Sequence, residues 1–135
     1  MELNAYLTFN NNCEAAFRFY EQRLGGKIEA FHRFGDSPMA DQCPPETAQL
    51  IMHVSMYING RTLMGSDNMP GHPYAGIKGF SLSLNTKDVA EAERLFAALS
   101  EQVIKIIMPL EKTFWAQRFG MLIDQFGTPW MVNCE

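Results

Sequence analysis

Few of the 135 residues belong to types that do chemistry, and their placement narrows what the chain can do. His53 stands inside the apolar run LIMHVSMYI at residues 50–58. An imidazole titrates near neutral pH, so His53 is the best candidate for a general base. The alternative is a hydrogen-bonded structural histidine. His32 and His72 are expected in solvent or loops, with His72-Pro73-Tyr74 able to reach over a cavity mouth. Cys13 begins a helix, a position that favours thiolates, but an inward-pointing thiol would be inert. Asp124 in DQFG reads as a turn acceptor, because Asp bonds backbone two residues on. Arg118 reads as an exposed edge-strand residue or as a ligand for a carboxylate. Met64, Met121 and Met131 read as core residues. With nine methionines in the chain, they also offer an adaptable apolar pocket. No Ser–His–Asp or Cys–His order is present. The acidic residues fall mainly on loops and outer helix faces, which leaves paired-carboxylate catalysis without a seat.

The composition excludes several classes. The net charge is −4 and no basic stripe occurs, so nothing attracts nucleic acid. No apolar run approaches the roughly 18 residues of a membrane span. Met1-Glu2-Leu3-Asn4 lacks the basic and apolar segments of a secretory signal. Cys13, Cys43 and Cys134 form no CxxC pair and read as free thiols of a reducing cytoplasm.

The elements that must position these residues are legible from period and punctuation. Residues 3–9 (LNAYLTF) alternate as a strand. Asn11 is expected to cap a helix, with Glu14 as its capping-box partner. Ala16, Phe19, Tyr20 and Leu24 follow at helical spacing, and Gly25-Gly26 closes that helix. Strands follow at 27–34 and 49–58, separated by a proline-bearing loop at 35–48 that is expected to be mobile. Asn59-Gly60 predicts a tight hairpin into a fourth strand at 61–66. After a turn-rich linker at 68–78 the order repeats. A strand at 79–84 leads to a helix capped by Thr86, with Val89, Ala92, Phe96 and Leu99 inward. A strand at 103–108 and a hairpin of 118–123 with 129–134 complete it. Trp130 is expected to pack beneath that helix. The fold class is therefore α+β: two βαβββ modules, residues 1–67 and 79–135, forming curled antiparallel sheets around a cavity.

Four stretches carry a resemblance: AYLTFNNNCEAAFRFYEQRLGG from Ala5, IMHVSMYINGRTLMGSD from Ile51, FSLSLNTKDVAEAERLF from Phe80, and TFWAQRFGMLIDQFGTPWMVN from Thr113. Together they resemble the PhnB-like branch of the glyoxalase/bleomycin-resistance/dioxygenase (vicinal oxygen chelate) superfamily over nearly the whole chain. The resemblance implies paired βαβββ modules, a U-shaped cavity and a homodimer. Members are often labelled demethylubiquinone methyltransferase-like. No glycine-rich strand-to-helix loop for a methyl-donor cofactor occurs in this chain.

Enzymes of the superfamily place His or Glu metal ligands on the first, fourth, fifth and eighth strands. By the resemblance, Ala5 stands at the first ligand position and Met131 at the last. Neither can hold a divalent cation. The expectation is a cavity without metal or cofactor, its walls formed by Ala5, Leu7 and Phe9 from one face of the first strand, with Met64, Met121 and Met131. His53 and Ser66 would be its orienting polar groups, and Trp115 an aromatic platform near its mouth or else an interface tryptophan. The ligand is then a small aromatic or amphipathic molecule held by a homodimer. The alternative is a lyase, isomerase or dioxygenase, using a metal placed elsewhere or His53 as acid–base. A third reading is a structural or regulatory partner protein.

Overall fold

A computed structural model describes residues 1–38 and 40–135, and Met39 of the 35–48 loop lies outside the described residues. The chain divides into two units, Met1–Gly76 and Ile77–Glu135. In the first, β1 (Ala5–Phe9), α1 (Cys13–Leu24), β2 (Lys27–Arg33), β3 (Ile51–Ile58) and β4 (Arg61–Asp67) form one sheet in the order β1-β4-β3-β2. In the second, β5 (Leu82–Thr86), α2 (Val89–Leu99), β6 (Lys105–Glu111), β7 (Arg118–Ile123) and β8 (Pro129–Cys134) repeat this as β5-β8-β7-β6. The βαβββ order is thus present twice.

The sheets are mixed, which corrects the expectation of antiparallel ones. β1 pairs parallel with β4, and β5 parallel with β8. The cause is the helix. A strand–helix–strand path returns the chain to its starting end, so β2 runs with β1. Two hairpin reversals then bring β4 into the same direction.

One face of each sheet is buried under its own helix. In the first unit Leu7, Phe9, Phe17, Tyr20, Ile51, Val54 and Met56 are buried. The Phe9 and Phe17 rings meet edge-on at 6.0 Å. Closing that core requires a glycine, because a Cβ on Gly65 would stand 2.7 Å from the Phe17 ring and 2.9 Å from the Leu7 carbonyl oxygen. In the second unit Ala92, Leu95, Phe96, Leu99, Leu122, Trp130 and Val132 are buried. There a Cβ on Gly120 would stand 2.6 Å from the Phe96 ring.

Both helix starts differ from expectation. Asn12, not Asn11, occupies the N-cap of α1 and makes no side-chain cap bond. Asn11 sits in left-handed backbone at φ 67°. Glu14 is drawn away to Arg33 and Arg18, so no capping box forms. The buried Asp67, at the end of β4, does the capping instead. Its Oδ1 accepts from the Cys13 N–H at 2.9 Å and its Oδ2 from the Ile51 N–H at 2.8 Å. For α2 the cap is Asp88, which accepts from the Ala90 N–H at 3.0 Å. Thr86 lies two residues earlier and accepts from the Asp88 N–H.

Single 3₁₀ turns stand at Phe34–Asp36, Ala40–Gln42 and Pro45–Thr47, and the Gly35 N–H bonds the Ala48 carbonyl at 2.9 Å. β5 begins later than residue 79, and β6 carries Pro109, which is tolerable because β6 is an edge strand paired to β7 alone.

Candidate functional site

The face of each sheet turned away from its helix, called the far face below, carries the polar and polarisable side chains. Alternation sends Tyr6 and Thr8 of β1 there, with Thr62, Met64 and Ser66 of β4, His53 and Ser55 of β3, and His32 of β2. Tyr6 pairs with Met64, Thr8 with Ser66 and His32 with His53 across the sheet. Three rings form a row: Tyr6 and His53 lie 5.6 Å apart at 30°, and His53 and His32 lie 6.2 Å apart at 30°. The Tyr6 hydroxyl sits 3.1 Å from His53 Nδ1. Beside the row, the Ser55 hydroxyl donates to Glu29 at 3.4 Å.

The far face of the second unit has a different chemistry. Met121 of β7 is paired with Met131 of β8, flanked by Phe119, Ser83, Asn85 and Asn133. The Asn133 amide donates to Asn85 Oδ1 at 3.3 Å. Trp115 packs on Phe119 with centroids 5.3 Å apart and remains 47% exposed.

His53, Met64 and Ser66 are therefore gathered on one far face, and Met121 and Met131, with Trp115 adjoining through Phe119, on the other. Ala5, Leu7 and Phe9 are not with them. Leu7 and Phe9 are in the core beneath α1, and Ala5 shares their side of the strand. This corrects the expected wall. The face of β1 that points away from the helix bears Tyr6 and Thr8. Strand alternation finds both faces equally well. The missing signal was which of the two α1 covers, and the larger apolar pair Leu7 and Phe9 supplies it.

The remaining candidates have structural partners. Asp124 accepts from the Phe126 and Thr128 backbone N–H groups and from Trp130 Nε1 at 2.8 Å, so it ties the β7–β8 turn to the indole under α2. Arg118 faces Glu93 at 3.4 Å. Burial, reinforced by the Asp67 charge, pushes the Cys13 thiol far above its ordinary range, which removes it as a nucleophile. His72 lines a hollow of about 330 Å³ with Asn11, Thr47, Leu50 and Asn68. Tyr74 donates to the Thr8 carbonyl at 2.9 Å, which ties the His72-Pro73-Tyr74 segment to β1.

With this geometry in view, comparison with known proteins is decisive. The model of the Glyoxalase/Bleomycin resistance protein/Dioxygenase superfamily matches residues 2–132. The chain belongs to this superfamily. It is 38% identical to Protein YjdN of Escherichia coli (strain K12) over 143 residues, covering 98% of this chain and 95% of that one. The crystal structure of protein PA1353 from Pseudomonas aeruginosa is 51% identical and superposes with a TM-score of 0.91, covering 100% of this chain and 98% of that one. The PhnB protein from Bacillus cereus, 23% identical, shares the fold with a TM-score of 0.84 over the full length of both chains.

The superfamily implies a divalent cation held from its first, fourth, fifth and eighth strands, and these strands do not fit one. Their far-face side chains are Tyr6, Thr8, Thr62, Met64, Ser66, Ser83, Asn85, Met131 and Asn133. These are neutral hydroxyls, amides and thioethers, with no imidazole, thiolate or carboxylate to offset the loss of an ion's hydration. Among the described residues, no group of three or more His, Cys, Asp or Glu side chains is placed to hold a metal.

Proposed function

We propose that this protein binds a small aromatic or amphipathic molecule on the far face of a unit, without a metal ion as mediator. The observation that carries the reading is the side-chain chemistry of each far face. Polarisable Met64, Met121 and Met131 provide adaptable apolar contact. Tyr6, His53 and Ser66 provide a few directional hydrogen bonds. Trp115, exposed and propped on Phe119, is an aromatic surface for stacking. The chemistry of the ligand follows: a flat apolar body with a small number of polar atoms.

The test is calorimetric titration with single-ring and fused-ring aromatics, with and without EDTA. Binding indifferent to EDTA is expected, weakened roughly five- to tenfold by Trp115→Ala. Affinity that requires added metal, or that is untouched by Trp115→Ala, would overturn the reading.

The same proposal includes a homodimer. The second unit exposes Ile104, Ile106, Ile107, Met108 and Phe114 on and near the edge strand β6. Such an edge needs cover. Sedimentation at micromolar concentration should give twice the 15.3 kDa chain mass. A clean monomer would refute this part. Three free cysteines, Cys13, Cys43 and Cys134, support a reducing cytoplasmic setting. No helix is long and apolar enough to cross a membrane, among the described residues.

A further inference from the structure

We propose that His32 and His53 form a two-imidazole site for a borderline divalent cation such as Zn²⁺ or Ni²⁺, away from the strands that carry the superfamily's own metal. The ligand-binding reading above needs no metal, and this inference goes beyond it while sharing Tyr6 and His53 with it.

The sheet register carries the argument. His32 on β2 and His53 on β3 are direct cross-strand partners. Both side chains therefore leave the same face at the same level, on a pair of strands whose outer member, β2, is the sheet edge. Their rings stand 6.2 Å apart and 30° from parallel. A zinc–nitrogen bond is about 2 Å, which puts a ligating ring's centroid roughly 3 Å from the ion and two such rings about 5–6 Å apart. The observed spacing of 6.2 Å lies just above that range, so the two rings must turn toward each other to complete the site.

Tyr6 provides the second argument. A metal-binding histidine commonly uses its other ring nitrogen to hold a partner, which sets the tautomer. The Tyr6 hydroxyl at His53 Nδ1 does this. When Nδ1–H donates to the Tyr6 oxygen, the lone pair is on Nε2, free for an ion. The two imidazoles select the metal class, since nitrogen donors favour Zn²⁺, Ni²⁺ and Cu²⁺ over Mg²⁺ and Ca²⁺. No third His, Cys, Asp or Glu joins them among the described residues. The other coordination positions fall to water, which leaves the site open to exchange.

The experiment uses untagged full-length protein with Cys43→Ser, because that partly exposed thiol would compete for metal. Zn²⁺ is titrated by calorimetry. Substoichiometric Ni²⁺ is followed by NMR broadening of the three histidine ring signals. One-to-one binding is expected, with His32 and His53 broadened and His72 spared. His32→Ala and His53→Ala should each abolish saturable binding, His72→Ala should leave it unchanged, and Mg²⁺ should not bind. Tyr6→Phe should weaken affinity roughly tenfold. Circular dichroism establishes that each variant is folded. The proposal is overturned if folded wild-type protein takes up no metal, if either histidine variant binds as wild type does, or if His72→Ala removes binding. Metal affinity that persists without His32 and His53 would instead restore the superfamily's own site and count against the metal-independent reading.

Discussion

The two units share one plan and secure it by different means. In the first, β3 and β4 meet with Val54 opposite Gly65; in the second, β7 and β8 meet with Gly120 opposite Val132. The same rung holds one valine and one glycine, with the strands exchanged. In both, a helix phenylalanine, Phe17 or Phe96, fills the space the glycine leaves. The helix starts diverge. α1 is capped from the far end of the unit by Asp67, and α2 by its own neighbour Asp88. At the position of Asp67, which pairs with Phe9, the second unit has Cys134, which pairs with Thr86. Packing requirements recur in this chain. Polar fastenings are set by whichever carboxylate is at hand.

The contrast between the caps gives the largest expected effect. Asp67→Ala leaves the Cys13 and Ile51 N–H groups buried without an acceptor, and should cost about 3 kcal/mol. Asp88→Ala removes one exposed cap and should cost about 1 kcal/mol. Urea denaturation measures both, and hydrogen exchange should show loosening of α1 only in the first. Equal costs would break the distinction between remote and local capping.

The shared glycine rung predicts a smaller, matched pair. Gly65→Ala and Gly120→Ala each drive a methyl into a phenylalanine ring and backbone, for about 2 kcal/mol apiece. If either is tolerated, the two cores are not closed in the same way.

The smallest effect separates the surface ion pairs. Arg33, then Arg18, hold the Glu14 carboxyl down from 4.5 to about 2. A lowered carboxyl pKa adds stability above the unfolded value and loses it as pH falls through the folded one. Wild-type stability should therefore decline from about pH 4.5 toward 2, and Glu14→Gln should flatten that decline. Glu93→Gln, which disturbs a more exposed pair at 3.4 Å, is the control. Denaturation midpoints across this pH range decide it.

Signals that decide structure locally are legible in the sequence. Asn59-Gly60 located the β3–β4 hairpin, and Gly25 closed α1 in left-handed backbone at φ 78°. Asp124 and Trp130 were placed by turn chemistry and alternation. What failed depended on distant partners. No spacing near Asn11 shows that a carboxylate 54 residues past Cys13 will do the capping. The covered face of β1 is not legible locally, because period-two alternation is indifferent to which side a helix covers. Tyr6 and Thr8 were therefore passed over, and Tyr6 is the residue that links β1 to His53.

The parallel pairing of first with fourth strands has a consequence for the order of events during synthesis. Among the described residues β1 pairs with β4 alone, so it has no strand partner until the ribosome has made the β3–β4 hairpin. Each sheet is completed by a contact between its earliest and latest segments, which makes closure nonlocal and slow relative to the hairpin. The Met1–Gly76 unit contains every strand its own sheet requires. It can thus close while the second half is still being translated.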